Sequence, residues 1–268
     1  MTDTRLTILA VGATGSIGSL VVEEAIRQGH AERALVRSAS KARRLPRQSE
    51  IVTGDLTRPE TLSAAVDGVD AIVFTHGTDG GGAAASESVD YGGVRNVLAA
   101  LGSRTARIAL MTSIGVTNRN SSYNRSTEAH DWKRRSERLV RASHLPYTIV
   151  RPGWFDYNAP DEHKLVLLQG DKRQSGTPKD GAIARRQLAK VLVRSLTSDA
   201  AKRKTFELVS TKGPEQKNFD EVFAPLDADP EGALDAVHDM ANMPLEDEPK
   251  RVREDLDAVR TSRARIAS

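Results

Sequence analysis

The chain has 268 residues, a mass of 29.1 kDa and a formal net charge of +3, from 39 lysines and arginines against 36 aspartates and glutamates. Because it contains no cysteine, the sequence excludes a disulfide scaffold, a cysteine nucleophile and a zinc site with thiolate ligands. It has no run of about 18 apolar residues and its charges are nearly balanced, so we expect neither a membrane nor a nucleic-acid partner. The pattern of Met1–Arg5 is not that of a secretory signal, and we expect a cytoplasmic protein.

Short apolar runs alternate with helical stretches over the first 150 residues. The run Thr7–Val11 has the unbroken apolar character of a strand that is buried on both faces. Such alternation is typical of an α/β fold in which helices cover both faces of a doubly wound parallel sheet. The sequence predicts strands over 7–11, 34–36, 51–52, 71–74, 106–111 and 147–150, and helices over 17–28, 59–66, 88–101 and 127–143.

A glycine-rich loop follows the first predicted strand directly. It reads Gly12-Ala13-Thr14-Gly15-Ser16-Ile17-Gly18, a G-x-x-G-x-x-G spacing that opens the first helix. Glycines here let main-chain N–H groups approach a pyrophosphate at a helix N-terminus, and the last glycine lets helix and strand pack closely. The place of the loop, between a buried strand and an amphipathic helix, indicates a dinucleotide-binding Rossmann fold rather than an ordinary tight turn.

The end of the second strand indicates which dinucleotide binds. Chains that bind NAD place an acidic residue about 20 positions after the loop, where it holds the ribose 2′-hydroxyl. Here that position is the basic residue Arg37. It is followed by Ser38 and by three further cations, Lys41, Arg43 and Arg44. A guanidinium suits the 2′-phosphate of NADP, so NADP is the expected cofactor. NAD is the alternative cofactor, and a solvated basic turn is the alternative interpretation of the segment.

The alternation of predicted strands and helices becomes less regular after Arg151. The sequence predicts a helix over 183–196 and a strand over 205–209, and the polar segment 156–180 is typical of a substrate-side insertion. We therefore expect three regions: an NAD(P)-binding Rossmann core over 1–155, a substrate-side segment over 156–212 that completes the fold, and a charged, mainly helical extension over 213–268.

The extension carries one apolar stripe amid dense charge, formed by Val252, Leu256, Val259 and Ile266. Two interpretations stay open: the helix packs on its own domain, or it binds a partner or a second copy of the chain. A homodimer is the oligomer that we expect on general grounds, because dimers are the commonest assemblies.

Several motifs together are similar to those of one family. They are the glycine loop, Ala34-Leu35-Val36-Arg37, Gly54-Asp55-Leu56, and Tyr147-Thr148-Ile149-Val150-Arg151-Pro152-Gly153. With them the chain resembles an atypical short-chain dehydrogenase/reductase, most of all the NmrA-like, NAD(P)-binding branch, over about residues 5–210. The resemblance is specific for fold and cofactor and says little about the substrate.

The resemblance implies a set of cofactor contacts. Asp55 and Leu56 flank the adenine, and the residues after the fourth strand line the adenosine and the pyrophosphate. Lys133, with Glu137 and Leu139 after it, matches the lysine that hydrogen-bonds the nicotinamide ribose. Together with the glycine loop and the basic turn, the expected contacts are Gly12, Thr14, Gly15, Ser16, Ile17, Gly18, Arg37, Ser38, Asp55, Leu56, Thr75, His76, Gly77, Lys133, Pro152, Gly153, Trp154 and Phe155.

The resemblance also implies a catalytic group. Ser113 matches a serine that polarises the substrate carbonyl, and Lys133 shares its pocket in the family with a tyrosine one helical turn earlier. That position is Ala129 here, and alanine cannot transfer a proton, so the usual mechanism is not intact. We expect Ser113, Lys133 and Tyr123 to form the catalytic group, with Tyr123, or a water that Lys133 orients, as the proton donor.

Each candidate also has a plainer interpretation. Ser113 can simply end a strand, and Tyr123 can be a residue of the loop surface. His130 and Trp132 flank the alanine, where the first is typical of a solvated histidine and the second of a packing residue. Tyr157 follows the nicotinamide loop and suits a pocket wall as well as an acid.

A loop with three consecutive glycines follows the fourth predicted strand. It runs over 77–85, at the carboxyl end of a strand, where open α/β sheets bind their ligands. The loop indicates either a lid that orders over the dinucleotide or a flexible connector.

The substrate pocket is expected to form from the loop 115–124, the segment 156–180, Trp154 and Phe155. Three cations lie in or near these segments: Arg119, Arg125 and Lys164. They indicate either an anionic substrate or ordinary surface charge. No pair of histidines has chelating spacing, so we expect no metal site.

Three functions fit these residues. The first is an NADP-dependent oxidoreductase that transfers a hydride to or from a small carbonyl or hydroxyl substrate. The second is a redox sensor that binds NADP(H) without chemistry, which Ala129 and the charged C-terminal region favour. The third is an epimerase or dehydratase with a tightly bound cofactor. The fold hosts all three, so the fold alone does not choose between them.

Overall fold

A central sheet organises the chain. The computed structural model describes residues 5–78 and 80–267, with side chains up to residue 262. Its strands are β1 (Thr7–Val11), β2 (Ala31–Val36), β3 (Glu50–Thr53), β4 (Ala71–Phe74), β5 (Arg107–Met111), β6 (Tyr147–Pro152), β7 (Trp154–Phe155), β8 (Lys164–Leu168), β9 (Ala182–Ile183) and β10 (Lys204–Thr211).

Eight of these strands form one sheet in the order β3-β2-β1-β4-β5-β6-β10-β8. Every pair of neighbours is parallel except β10 and β8, and β7 pairs with β9 separately. The predicted doubly wound α/β sheet is therefore confirmed. The carboxyl ends of the parallel strands meet at one edge, where such sheets bind their ligands.

Helices cover both faces of the sheet. They are α1 (Gly18–Arg27), α2 (Gly82–Ala85), α3 (Gly92–Leu101), α4 (Ser122–Thr127), α5 (Ala129–Ala142), α6 (Arg185–Ser195), α7 (Phe219–Phe223) and α8 (Lys250–Ala267). Leu9 and Val11 of β1 contribute to the core beneath α3, α5 and α8, whereas Ile8 faces α1, α6 and α7. Successive side chains of a strand point to opposite faces, so each strand supplies both cores. Among the described helices, none is long and apolar enough to cross a membrane.

Three predicted helices have different bounds in the structure. The helix predicted over 59–66 is wrong: only Pro59–Thr61 forms a short 3-10 helix, and turns follow it. The hydroxyl of Thr61 bonds the main chain of residues 55 and 58, and the apolar side chains that suggested a helix are buried by the turns. The helix predicted over 88–101 starts earlier, because α2 continues through a π-helical turn, Ser86–Tyr91, into α3.

The charged stretch 127–143 differs in another way. Glu128 has a positive φ of 50°, which separates α4 from α5, so that α5 begins at Ala129. Instead of lying in solvent, this helix is almost wholly buried. Its cover is formed by residues of the C-terminal region, as described below.

The C-terminal region is only partly helical. Residues 224–249 form turns and irregular structure with one 3-10 helix, Leu245–Asp247, because side-chain ion pairs hold this stretch. Val252 and Leu256 of α8 are buried in the core beside α3 and α5. This agrees with a helix that packs on its own domain. Ile266, the last residue of the predicted stripe, lies outside the described side chains.

Glu32 is a buried acid on β2, at the opposite end of the strand from the ligand-binding edge. The residue is 4% exposed, and neither carboxyl oxygen has a hydrogen-bond partner among residues 5–78 and 80–262. Burial, assisted by the charge of Glu50, raises the pKa of Glu32 to about 7, against the influence of Ser49. The folded protein therefore holds a proton here over a pH range in which the unfolded chain has lost it.

We expect Glu32→Gln to stabilise the protein at pH 8 by about 2 kcal/mol and to change little at pH 4.5. The wild type binds more protons when folded than when unfolded, so its stability falls as the pH rises from about 4.5 through about 7. Urea unfolding at both pH values measures this, with the exposed Glu231→Gln as a control. The same pH-dependent loss in Glu32→Gln and wild type would contradict the assignment.

Candidate dinucleotide site

The glycine loop forms a close-packed cradle at the start of α1. Gly12 has a φ of +87°, and the N–H of Gly15 donates to the Gly12 carbonyl over 2.9 Å. A Cβ atom on Gly18 would lie 2.0 Å from that carbonyl oxygen. Only glycine allows this approach, which brings the first turn of α1 against the end of β1.

The end of β4 closes the other side of the loop. A Cβ on Gly12 would lie 2.6 Å from the main-chain nitrogen of His76. The hydroxyl of Thr75 donates to the Val11 carbonyl over 3.1 Å and ties the two strand ends together. The structure thus brings Gly12, Gly18, Thr75 and His76 together at one end of the sheet, and their contact with a pyrophosphate stays a prediction.

The basic turn lies beyond β2. Arg37 is exposed directly after the strand, and the N–H of Gly54 bonds back to Val36. Main-chain and hydroxyl hydrogen bonds from Thr57 lower the pKa of the Asp55 carboxyl, and the nearby guanidinium of Arg37 acts in the same direction. Arg37 and Asp55, predicted to contact opposite parts of the adenosine, therefore lie near each other at the same edge of the sheet.

Several buried polar atoms at this edge have no hydrogen-bond partner among the residues that the structure describes. They are the hydroxyl of Ser113, both ring nitrogens of His76 and the Nδ1 atom of His130. A buried polar group without a hydrogen bond costs free energy, and a bound polar ligand is one way to satisfy it. Together with the glycine cradle, these atoms fit a polar ligand such as a dinucleotide with a bound substrate.

Lys133 is held by an acid that the sequence did not single out. Its ammonium lies 3.3 Å from a carboxyl oxygen of Asp90, which is 2% exposed as a side chain and belongs to the π-helical turn before α3. Asp90 also accepts from the main-chain N–H and the hydroxyl of Thr78, at 3.1 and 2.7 Å. One carboxylate thereby fixes both the lysine and the start of the glycine-rich loop after β4.

That loop is shorter than predicted, because its last part, from Gly82, is already helical. Asp79 lies outside the described residues. Whether the remaining glycines form a lid stays a prediction.

A histidine lies next to the position where the family has its tyrosine. Ala129 is buried, and His130 follows it, three residues before Lys133 and so on the same side of α5. Burial lowers the pKa of His130, as does the charge of Lys133, while the main chain of Asn118 and the carboxylates of Asp171 and Asp131 oppose this. His130 is half-buried and its Nδ1 atom is buried, so this histidine is not fully solvated.

Tyr123 is half-exposed on α4, and its ring meets the ring of His130 edge-on with centroids 5.2 Å apart. The prediction that Tyr123 is the proton donor stays untested. Trp132 is 2% exposed and packs against Tyr91, which suits the packing role that was its plainer interpretation.

Sequence reasoning missed the residue that shapes the loop after β5. Asp171 is completely buried, with a φ of +49°, and its carboxylate accepts from the N–H of Gly115 at 2.6 Å and from the N–H of Thr117 at 2.7 Å. The hydroxyl of Thr117 donates to it as well, at 2.8 Å. Asp171 lies more than 50 residues along the chain from its partners, so no local pattern could reveal this role.

The turn after β6 is the segment predicted to lie beside the nicotinamide. A Cβ on Gly153 would lie 2.4 Å from the carbonyl oxygen of Gly181, so β7 can approach β9 only with glycine here. Trp154 is 37% exposed and meets the ring of Tyr157 edge-on. The guanidinium of Arg185 lies 5.1 Å from the ring centroid of Phe155. These aromatic groups border the predicted substrate side.

Two of the three cations suggested for an anionic substrate have partners within the chain. Arg119 forms an ion pair with Asp131 over 3.1 Å, and Arg125 bonds the carbonyl of Asn120. Their charges are therefore already neutralised or engaged within the chain. Lys164 begins the antiparallel edge strand β8.

Known proteins match the part of the chain that contains the glycine cradle and most of the central sheet. The profile of the NAD(P)H-binding family matches residues 12–199. Sanguinarine reductase from Eschscholzia californica is 27% identical over 263 residues, which cover 82% of this chain and 96% of that protein. The photosystem II assembly factor Ycf39 of Synechocystis sp. is 29% identical over 208 residues, 76% of this chain and 63% of that protein.

A solved structure shares the fold. It is a Bacillus halodurans protein described as an NAD-dependent epimerase/dehydratase, with a TM-score of 0.67 and 24% sequence identity. The likeness covers 78% of this chain and 96% of that one. The resemblance to atypical short-chain dehydrogenases/reductases, inferred from four short motifs, is thus confirmed at the level of the fold.

Proposed function

Because this chain belongs to the NAD(P)H-binding family, we propose that it is an NADP(H)-dependent oxidoreductase acting on a small carbonyl or hydroxyl substrate. One observation carries the proposal: the glycine cradle lies at the same sheet edge as the unpartnered buried atoms of Ser113 and His130. A reductase among the relatives, sanguinarine reductase, is in keeping with it. Titration of the purified protein with NADPH and NADH, followed by a screen of carbonyl substrates, tests the proposal.

NADP is the cofactor that the basic turn favours. Arg37 stands at the end of β2, next to the strand that carries the glycine cradle, and its side chain is exposed. A guanidinium there can pair with a 2′-phosphate, whereas it gives the 2′-hydroxyl of NAD no comparable partner.

We expect Arg37→Glu to weaken NADPH binding about 20-fold and to change NADH binding by no more than about twofold. The substitution removes a cation from the 2′-phosphate and adds a repelling carboxylate, and only NADPH carries that phosphate. Calorimetric titration of both nucleotides measures the effect. Arg47→Glu, an exposed cation further along the same connection, is the matched control. Equal loss for both nucleotides would exclude Arg37 as the phosphate ligand.

A reduced nicotinamide, when bound, would supply the hydride. The chain would supply a hydrogen-bond donor for the substrate oxygen, a positive charge and a proton. The Ser113 hydroxyl, which has no hydrogen-bond partner in the described part of the chain, is available to donate to a substrate oxygen. Lys133, held by Asp90, is the residue that we propose for the role of the family's lysine. The substrate oxygen must also gain a proton during reduction, and we assign that delivery to protonated His130 rather than to Tyr123.

We expect the reduction rate to fall as the pH rises above the pKa of His130, which burial keeps below its usual value of 6.5. His130→Gln should lower the rate at pH 6 roughly 50-fold and remove this part of the pH profile. Steady-state reduction measured from pH 5 to pH 8 gives both quantities. The exposed His163→Gln serves as the control. A wild-type profile in His130→Gln would return the role to Tyr123 or to water.

A second candidate function is an NADP(H)-binding regulator without turnover. It is favoured by Ala129 at the position of the tyrosine, and one relative, Ycf39, is an assembly factor. Tight binding of NADPH with no oxidation of it in the presence of any carbonyl substrate would support the regulator. Oxidation of NADPH that depends on both Ser113 and substrate would support the enzyme.

A further inference from the structure

Helix α5 is lined with arginines that are buried. Arg134, Arg135, Arg138 and Arg141 are at most 7% exposed, although a helix so rich in charge would ordinarily face solvent. The cover comes from residues 229–248, which we call the C-terminal strap. The strap lies beyond residue 199, where the match to the NAD(P)H-binding family ends.

Acidic residues of the strap pair with these arginines. Arg138 contacts Asp235 over 2.7 Å and Glu248 over 2.9 Å, and Arg135 contacts Glu248 over 2.7 Å. Arg141 contacts Asp229 over 3.1 Å. Buried, hydrogen-bonded pairs of this kind have a defined geometry, so the strap is held in one position on α5.

One strap residue also reaches the loop after β5. The side-chain N–H of Asn242 donates to the carbonyl of Thr117 over 3.0 Å, and its carbonyl accepts from Arg134. Its main-chain oxygen accepts from Arg119 over 2.9 Å. Asn242 therefore links helix α5 to the loop that begins with Ser113.

The loop is thus held from two sides. Asp171 bonds the N–H groups of Gly115 and Thr117, while Asn242 bonds the carbonyl of Thr117. The side chain of Asn242 adds a link from the loop to Arg134 of α5, the helix that carries His130 and Lys133. It acts beside the direct ion pair between Arg119 of the loop and Asp131 of α5. The placement of Ser113 relative to the two α5 side chains therefore depends in part on Asn242.

We propose that Asn242 is a positioning residue, which fixes the loop 113–119 against α5 so that Ser113 and His130 face one substrate. The proposal rests on the oxidoreductase function for its effect on turnover. The link between the strap and the loop does not depend on whether the site belongs to an oxidoreductase or to a regulator without turnover.

Asn242→Asp tests the link, because aspartate keeps the acceptor for Arg134 but cannot donate to the Thr117 carbonyl. We expect kcat/KM for the carbonyl substrate to fall roughly tenfold, with the Kd of NADPH unchanged. Hydrogen exchange of the segment 113–121 should become faster, while the segment 11–19 around the glycine cradle exchanges as before. Asn242→Ala should show the same changes, and Asn242→Gln should restore part of the lost activity.

Met240→Ala is the matched control, because this side chain of the strap is half-exposed. Wild-type exchange of 113–121 in both Asn242→Asp and Asn242→Ala would overturn the proposal, as would equal loosening in Met240→Ala. If the wild type binds NADPH but reduces no substrate, the oxidoreductase function fails. Faster exchange in the Asn242 variants would then still support the link between strap and loop.

Discussion

Gly18→Ala is expected to lower the affinity for NADPH about 1,000-fold. The added Cβ would lie 2.0 Å from the carbonyl oxygen of Gly12 and 2.7 Å from its carbon, distances that no real contact reaches. Helix α1 must move away from the end of β1, and the N–H groups that face the pyrophosphate move with it. Several charge-assisted hydrogen bonds are then lost together, which explains the size of the effect.

Calorimetric titration with NADPH measures this loss, and circular dichroism establishes that the variant is folded. Gly29→Ala is the matched control, because Gly29 follows the same helix at its other end and an added Cβ meets nothing within 4 Å. It strains the main chain, whose φ is +85°, but it leaves the cradle untouched. A folded Gly18→Ala protein that binds NADPH like the wild type would show that the nucleotide does not use this loop.

Arg151→Met is expected to destabilise the protein by about 3–5 kcal/mol. Arg151 is completely buried on β6, and its guanidinium lies 2.7 Å from Glu137 of α5 and 2.7 Å from Asp239 of the strap. Both of these carboxylates have side chains that are 0% exposed. Removing the shared cation leaves buried negative charges without their main partner, and water cannot replace it.

The midpoint of urea unfolding at pH 7 measures the loss of stability. Arg95→Met is the control, because Arg95 pairs with Asp255 over 3.4 Å at a site where its side chain is 40% exposed. A pair that water can reach contributes at most about 1 kcal/mol. Comparable losses in the two variants would contradict the view that the buried cluster holds α5, β6 and the strap together.

The sheet and the glycine cradle could be predicted because their signals are local. β1, the loop over 12–18 and α1 are contiguous, and each carries its own pattern of apolar residues or glycines. The basic residue after β2 also follows from counting along the chain. These are features in which sequence neighbours are also neighbours in space.

The environment of α5 could not be predicted in this way. A helix with dense charge ordinarily faces water, and the acids that bury it lie 88 to 113 residues further along the chain. Asp90 and Asp171 escaped notice for the same reason, because each orients residues that are distant in sequence. The prediction of a helix over 59–66 was wrong for a different reason. The apolar residues with helical spacing in this stretch are buried by turns instead of by a helix.

The separation of α5 and its strap along the sequence has a consequence for protein synthesis. The ribosome completes α5 well before it makes the strap, so the nascent sheet carries a row of hydrated cations until about 100 more residues have been added. Nascent chains at this stage offer those cations to any polyanion nearby, including ribosomal RNA. The loop beside Ser113 gains its contact with Asn242 only when the strap docks, so this edge of the sheet is among the last parts of the molecule to mature.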